Sequence, residues 1–290
     1  MNTAKYHFSI GQFQVTVISD GQTQFPAHPL YAVNAQAEEV MQTLEYHFLD
    51  NVNYTLQCNI FFIDNGKDKI LIDTGAGISL GNELGKLLEN LTKAGINPTE
   101  ITAILISHCH LDHISGLVSD EGKPNFPNAK IFINETEWDF WRKENIDLSS
   151  MPIEDGFKQN FIGAVRTNLN PIQQNISTFK FGQEILNGIL TVNAIGHSPG
   201  HTAFLISSNN ESLLHTGDIF HHPAFDLKHP NWATAFDQDA KQAYETRLKI
   251  LDQASFDKSF LTSYHMPFPA LGHIRKSDNH YEWVNLNWKF

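Results

Sequence analysis

Three imidazoles and a carboxylate stand within six residues in the run Ser107-His108-Cys109-His110-Leu111-Asp112-His113. An apolar stretch, Ile101-Thr102-Ala103-Ile104-Leu105-Ile106, leads directly into it. Extended backbone sends alternate side chains to one face, so His108 and His110 point together and Cys109 points away. Asp112 and His113 fall where the chain begins to read as a helix and can turn toward a second point nearby. One short loop can therefore offer ligands to two adjacent metal ions. Imidazole with carboxylate suits zinc and similar divalent metals. A lone histidine reads as a surface or satisfied core residue, but that reading does not account for the spacing His-x-His-x-Asp-His. Cys109, flanked by ligands on the opposite face, reads as a buried structural thiol.

Other apolar runs end in metal-competent residues. Leu190 to Ile195 leads to Gly196-His197-Ser198-Pro199-Gly200-His201, Leu213-Leu214-His215-Thr216-Gly217 leads to Asp218, and Phe260 to Tyr264 leads to His265. In layered α/β folds, sites gather where strands end and loops begin.

Several elements must carry these residues. Gln12 to Gly21 alternates as an opening strand, and residues 22–36 read as loop. Ala37 to Leu49 forms an amphipathic helix with Val40, Leu44 and Phe48 on one face. Strands are expected near Cys58 to Ile63 and Lys69 to Asp73. Leu84, Leu87, Leu88 and Leu91 have helical spacing, closed by Gly95. Further strands are expected near 129–133, 183–184, 190–195, 202–207 and 212–215, with the last near Phe260 to Ser263. Helices are expected at 135–143, around Phe157, Phe161 and Val165, and at 239–251. Strands and helices mix without regular βαβ alternation, which implies two packed sheets covered by helices. No Pro/Ser-rich linker divides the chain, so residues 1–290 read as a single domain.

These motifs together resemble the metallo-β-lactamase superfamily. Leu71-Ile72-Asp73-Thr74-Gly75 resembles its first motif, His108 to His113 the second, and Gly196-His197-Ser198 the third. The resemblance implies an αβ/βα sandwich with the site at the edge between the sheets. It implies two divalent ions, zinc for preference. One is held by His108, His110 and His197, the other by Asp112, His113 and His265, with Asp218 shared. Asp73 supports the metal loop, and His201 stands behind the ligands. The stretches Asn82 to Leu91, Ala94 to Pro98 and His265 to His273 resemble the branch of N-acyl homoserine lactone lactonases and methyl-parathion-type hydrolases. In many such lactonases a Tyr three residues after the bridging Asp bonds the substrate carbonyl; here that position is His221, which can also donate. Asp112, Asp218 and His221 are the candidate catalytic groups. A hydroxide shared between two ions about 3.5–4 Å apart would open the lactone ring of an N-acyl homoserine lactone. The alternatives are a phosphotriester or other ester hydrolase and, ranking lower, a di-iron redox protein, whose flavin-binding partner domain would need further chain beyond His265.

Composition agrees with a small-molecule enzyme. A formal net charge of −12 opposes nucleic acid and anionic membranes. Two cysteines make no disulfide framework, and no signal-peptide or transmembrane run is seen, so a cytoplasmic protein is expected. The resemblance adds a possible homodimer, with the helices at 37–49 and 157–169 as candidates for its interface, a lid or the pocket wall. Among the 21 Phe residues, some can line an acyl-chain pocket. Phe220, Met266 and Phe268, beside the ligands, are candidates for such a groove.

Overall fold

The protein is described here by a computed structural model covering residues 5–81, 83–278 and 280–286. Met1 to Ala4 and Asn82, which belong to stretches considered above, lie outside the described residues. Two seven-stranded sheets stack face to face, each with its strands in sequence order. The first runs β1 (Lys5–Ile10), β2 (Phe13–Pro26), β3 (Asn53–Asp64), β4 (Lys69–Ile72), β5 (Ala103–Leu105), β6 (Lys130–Asn134) and β7 (Ile176–Phe179). The second runs β8 (Glu184–Leu186), β9 (Ile189–Asn193), β10 (Thr202–Ser208), β11 (Glu211–His215), β12 (Leu261–Thr262), β13 (Leu271–Ser277) and β14 (His280–Asn285). Most pairs are antiparallel, but β4 to β7 are mutually parallel, and β11 pairs parallel with β12.

The strand alternation sorts the core into layers. Phe61, Ile63, Ile70 and Ile72 point between the sheets, where they meet Phe204, Ile206 and Leu213. Ile60, Phe62 and Leu71 point the other way and pack with the helices α3 (Leu87–Ala94), α5 (Glu135–Arg142) and α6 (Asp155–Leu169). The outer face of the second sheet is covered by α7 (Ala240–Asp257) through Ile250, Leu251 and Ala254. This is the αβ/βα sandwich. No helix among the described residues is long and apolar enough to cross a membrane.

Some elements differ from the sequence reading. β2 continues through the stretch expected as loop, as far as Pro26, pairing Gln22 with Gln57 and Phe25 with Tyr54. Its second half is polar and half-exposed, so hydrophobic alternation does not mark it. A short turn, α1 (Ala27–Leu30), follows. The helix α2 (Ala37–Tyr46) buries Val40 and Leu44 but ends before Phe48, which has φ 59° and is 98% exposed rather than on the packed face. β12 is not the last strand, since β13 and β14 follow it. β1, β7, β13 and β14 were not foreseen. β1, β7 and β14 are sheet edges, where one-sided burial leaves a mixed polar sequence; β13 lies inside its sheet, but its second half is half-exposed and charged.

One buried carboxylate ties the first sheet to the loop after β4. Asp20 sits at the β-bulge between Ser19 and Gly21. It accepts from the backbone N–H groups of Ala76, Gly85 and Leu87 at 2.9, 3.0 and 2.8 Å. A Cβ on Gly75 would stand 2.4 Å from that carboxylate, so this position must be glycine. Asp20→Ala leaves three donors without an acceptor, two of them fully buried and one, Gly85 N–H, partly so, at about 1–3 kcal/mol for each buried one. We expect a loss of at least about 3 kcal/mol in urea unfolding; a loss below about 1 kcal/mol would show that the loop is held otherwise.

Candidate metal centre

Each candidate ligand lies just past the end of a strand. His108 and His110 follow β5, and Asp73 follows its neighbour β4. Asp112 and His113 occupy the single turn α4 (Leu111–Ile114). His197 follows β9, Asp218 follows β11, and His265 follows β12. Parallel pairing of β4 with β5 and of β11 with β12 brings these carboxyl ends to one edge of the sandwich.

The side chains converge on Asp218. Its Oδ2 stands 3.1 Å from His265 Nε2, 3.3 Å from His113, 3.5 Å from His197, 3.7 Å from His221 and 3.8 Å from His108. Asp112 Oδ2 is 3.2 Å from His265 Nε2 and 3.6 Å from His113 Nε2. His110 Nδ1 and His197 Nε2 are 3.0 Å apart. The donor atoms of His108, His110 and His197 lie within 4.8 Å of one another, as do those of His108, His113 and Asp218. Asp112 and His265 form a further such group with Cys58, which the sequence reading did not single out. Burial pushes the Cys58 thiol up to about 12, with His265 acting against it.

The residues fit divalent cations. Among the described residues, Nε2 of His108, His110 and His113 and Oδ1 of Asp218 are buried without a hydrogen-bond partner. Orphaned atoms clustered this densely require an ion or solvent. Burial, helped by neighbouring imidazoles, drives His108 and His110 well below the usual histidine range, toward the neutral form that ligates metal. Burial also opposes charge on His113 and His265. There the carboxylates win, raising His113 to about 10 through Asp218, Asp112 and Asp73, and His265 well above its ordinary value. Asp112 and Asp218 are held low against burial by His113 and His265. The carboxylates thus draw positive charge into this half, a demand that a divalent cation meets with the imidazoles neutral.

A second row fixes the rings. Asp73 accepts from Ser107 N and Ser107 Oγ and meets His113 Nδ1 at 2.8 Å, the supporting role expected of it. His265 Nδ1 donates to Gln57 O at 2.7 Å. His201 Nδ1 donates to Ala194 O while its Nε2 accepts from Asp218 N, so it stands behind the cluster, as expected. Cys109 points into the core, and its N–H donates to Glu137.

Several supporting residues escaped the sequence reading. Asp237 accepts from His197 Nδ1 at 2.8 Å. Burial alone would raise its pKa, but His197 holds it below the usual range. Glu137 accepts from Ser198 Oγ, Gly200 N and Trp141 Nε1. Its place one turn before Trp141, on the buried stripe of α5, was the available signal. Asp237 lies in a loop with no such pattern. Asp226 accepts from His221 N and His222 N and pairs with the buried Arg247 at 3.4 Å.

The cluster forms the floor of a cavity of about 510 Å³. Its wall is apolar, from Phe25, Leu56, Phe157, Phe161 and Phe236 among others, and carries no Lys or Arg among the described residues. Phe220, Met266 and Phe268 do not line it; they pack into the cores around the second sheet. The expected helix near 157–169 does supply wall residues.

Comparison with known proteins agrees with this geometry. Residues 53–257 match the description of the metallo-beta-lactamase superfamily. The solved structure of AidC, a dizinc quorum-quenching lactonase in complex with a product, superposes with TM-score 0.94 and 29% identity over 99% of both chains. That of the hydrolase AbOPH does so with TM-score 0.91 and 30% identity, again over 99% of both. An N-acyl homoserine lactonase of Bacillus cereus is 24% identical over 175 residues, 53% of this chain and 60% of that one. The chain spans between 40% and 61% of the length of the first curated relatives it matches.

Removing an outer hydrogen bond to a metal-ligating histidine typically costs 10–100-fold in metal affinity. We expect Asp237→Ala to release metal to a competing chelator at about 10-fold lower chelator concentration than wild type. Equal retention would show that His197 needs no such support.

Proposed function

The chain belongs to the metallo-beta-lactamase superfamily, and on that premise we propose that it is a metal-dependent hydrolase that opens the ring of N-acyl homoserine lactones. The observation that carries this reading is the combination of a His/Asp cluster with an apolar cavity. Such a substrate has a polar ring to meet the floor and an apolar tail to meet the wall. The lack of cationic side chains on the wall suits a neutral substrate. The similarity to AidC over nearly the whole of both chains supports the same substrate class.

We assign one ion to His108, His110 and His197 and the other to Asp112, His113 and His265, with Asp218 between them; zinc is the preferred metal. Bound there, the cations supply Lewis acidity and a nucleophile usable at neutral pH. The protein does the rest through its own groups. Asp73, Asp237 and Gln57 O orient the rings, so the donors are preorganised. Phe157, Phe161 and the other wall residues bind the acyl chain and exclude water from the floor. Asp218 is the acceptor nearest the reacting centre for a proton released there. His221 turns Nε2 toward the same space, 3.7 Å from Asp218. Hydrolysis of another neutral ester, including a phosphotriester, fits the same wall and is the second reading.

Protein prepared without chelator is expected to hold close to two divalent ions per chain by elemental analysis, because seven ligands form two incomplete shells. It should open an N-acyl homoserine lactone, followed by acid release, at least about tenfold more efficiently than it hydrolyses a phosphotriester. Fewer than one ion per active chain would end the dinuclear assignment. A reversed substrate preference would end the lactonase reading.

A further inference from the structure

Three buried tyrosines surround the cluster, and two have spent their hydroxyls. Tyr264 Oη donates to Asp112 O at 2.6 Å, and Tyr54 Oη donates to His221 O at 3.3 Å. Tyr31 is different. It lines the cavity, and its hydroxyl makes no hydrogen bond to any described residue. Nor is that oxygen among the sealed, unpartnered atoms of the core, which leaves it facing the cavity space.

The ring is held rigidly. Tyr31 meets Tyr54 edge-on with centroids 4.5 Å apart, stacks at 19° on Phe225 and lies 5.9 Å from the His221 ring. Its segment is pinned on both sides, by Ala235 N donating to Leu30 O and Val33 N donating to Ala233 O. Burial holds the phenol protonated well above the usual tyrosine range, and the groups it senses include Tyr54, His265 and Asp112. It is therefore a neutral, preorganised donor beside the cluster.

His221 is less suited to that role than its position in the chain implies. Its Nδ1 faces the Asp226 carboxylate at 3.5 Å, and Arg247 chiefly holds that carboxylate below the usual range against the effect of burial. That approach is not a hydrogen bond, and Nδ1 is left without a partner, while Nε2 stands with His197 and Asp218 in a donor set that could hold a cation, a use that leaves no proton on that nitrogen. The cavity floor otherwise offers carboxylates and metal-competent nitrogens.

We propose that the Tyr31 hydroxyl contacts the reacting ester and donates a hydrogen bond to the oxygen on which negative charge develops. This rests on the ester-hydrolase reading given above. A donor of this kind acts more strongly on the transition state than on the neutral substrate, so its loss appears in kcat rather than in KM. Removal of one such donor can cost about 10²–10³ in kcat, and less where other groups share the charge.

The test uses metal-loaded full-length protein and its Tyr31→Phe and His221→Phe variants. Phe at position 31 keeps the ring packing and removes only the donor. We expect kcat for an N-acyl homoserine lactone to fall about 10–100-fold in Tyr31→Phe, with KM within about threefold. His221→Phe should lower it less. Thermal midpoint and metal content should match wild type. As a readout independent of turnover, binding of an anionic phosphonate ester by calorimetry should weaken about tenfold in Tyr31→Phe. Wild-type kcat and phosphonate affinity, or a defect confined to KM, would overturn the proposal. If the wild type hydrolyses only a phosphotriester, the lactonase reading fails, and the same comparison on that triester still decides for or against Tyr31.

Discussion

The arrangement depends on packing carboxylates and imidazoles together out of water. Asp218 Oδ2 has five histidine Nε2 atoms within 3.8 Å. Buried charge of this density is costly unless opposite charge and hydrogen bonds accompany it. The surroundings answer that cost in two ways. His113, His197 and His265 each have their outer nitrogen tied to a fixed oxygen acceptor, and the inner nitrogens face one another across a space suited to positive charge.

That demand explains why the supporting acceptors come from remote parts of the chain. Asp73 follows β4, Gln57 lies in β3, Ala194 follows β9, and Asp237 precedes α7. A ligand held on a loop alone would sample many rotamers. Here the strands fix the backbone, and the outer bonds fix the ring tautomers and tilts. Asp20 and Arg247 play the corresponding part for the loops. Asp20 gathers the N–H groups of residues 76–87. Arg247, itself buried, donates to Ile219 O, Pro230 O and Trp232 O and so braces the chain on both sides of His221.

The cavity has a different origin. Its wall comes mostly from the end of β2, the segment after it, β3 at Leu56, α6 and the loop at Phe236, none of which supplies a candidate ligand; Leu111 alone comes from the turn that carries Asp112 and His113. The metal-competent residues and the apolar wall therefore sit largely on separate elements. The floor belongs to strand ends that the sheets hold rigidly, while the wall can vary without disturbing the metal donors.

The sequence by itself determined the floor. Residue types, their spacing and the strand-like runs before them are local features, so the grouping of His108, His110, Asp112, His113, His197, Asp218 and His265, which the fold brings together, was legible without coordinates, as was the layered fold. Asp73 was legible too, because it ends a recognisable strand motif. Only the tertiary structure decided which distant residues support that floor and which enclose the space above it. Asp237 and Tyr31 lie in loops without periodic pattern, and their neighbours in space are far away in sequence. Phe220 and Met266 show the converse. They stand beside ligands in the chain, yet the strand-to-loop turn sends them into the core of the second sheet. Edge strands such as β1 and β14 stayed hidden because half-exposed strands need little hydrophobic alternation. Adjacency along the chain records what one segment can present; burial and orientation are set by what the other segments pack against it.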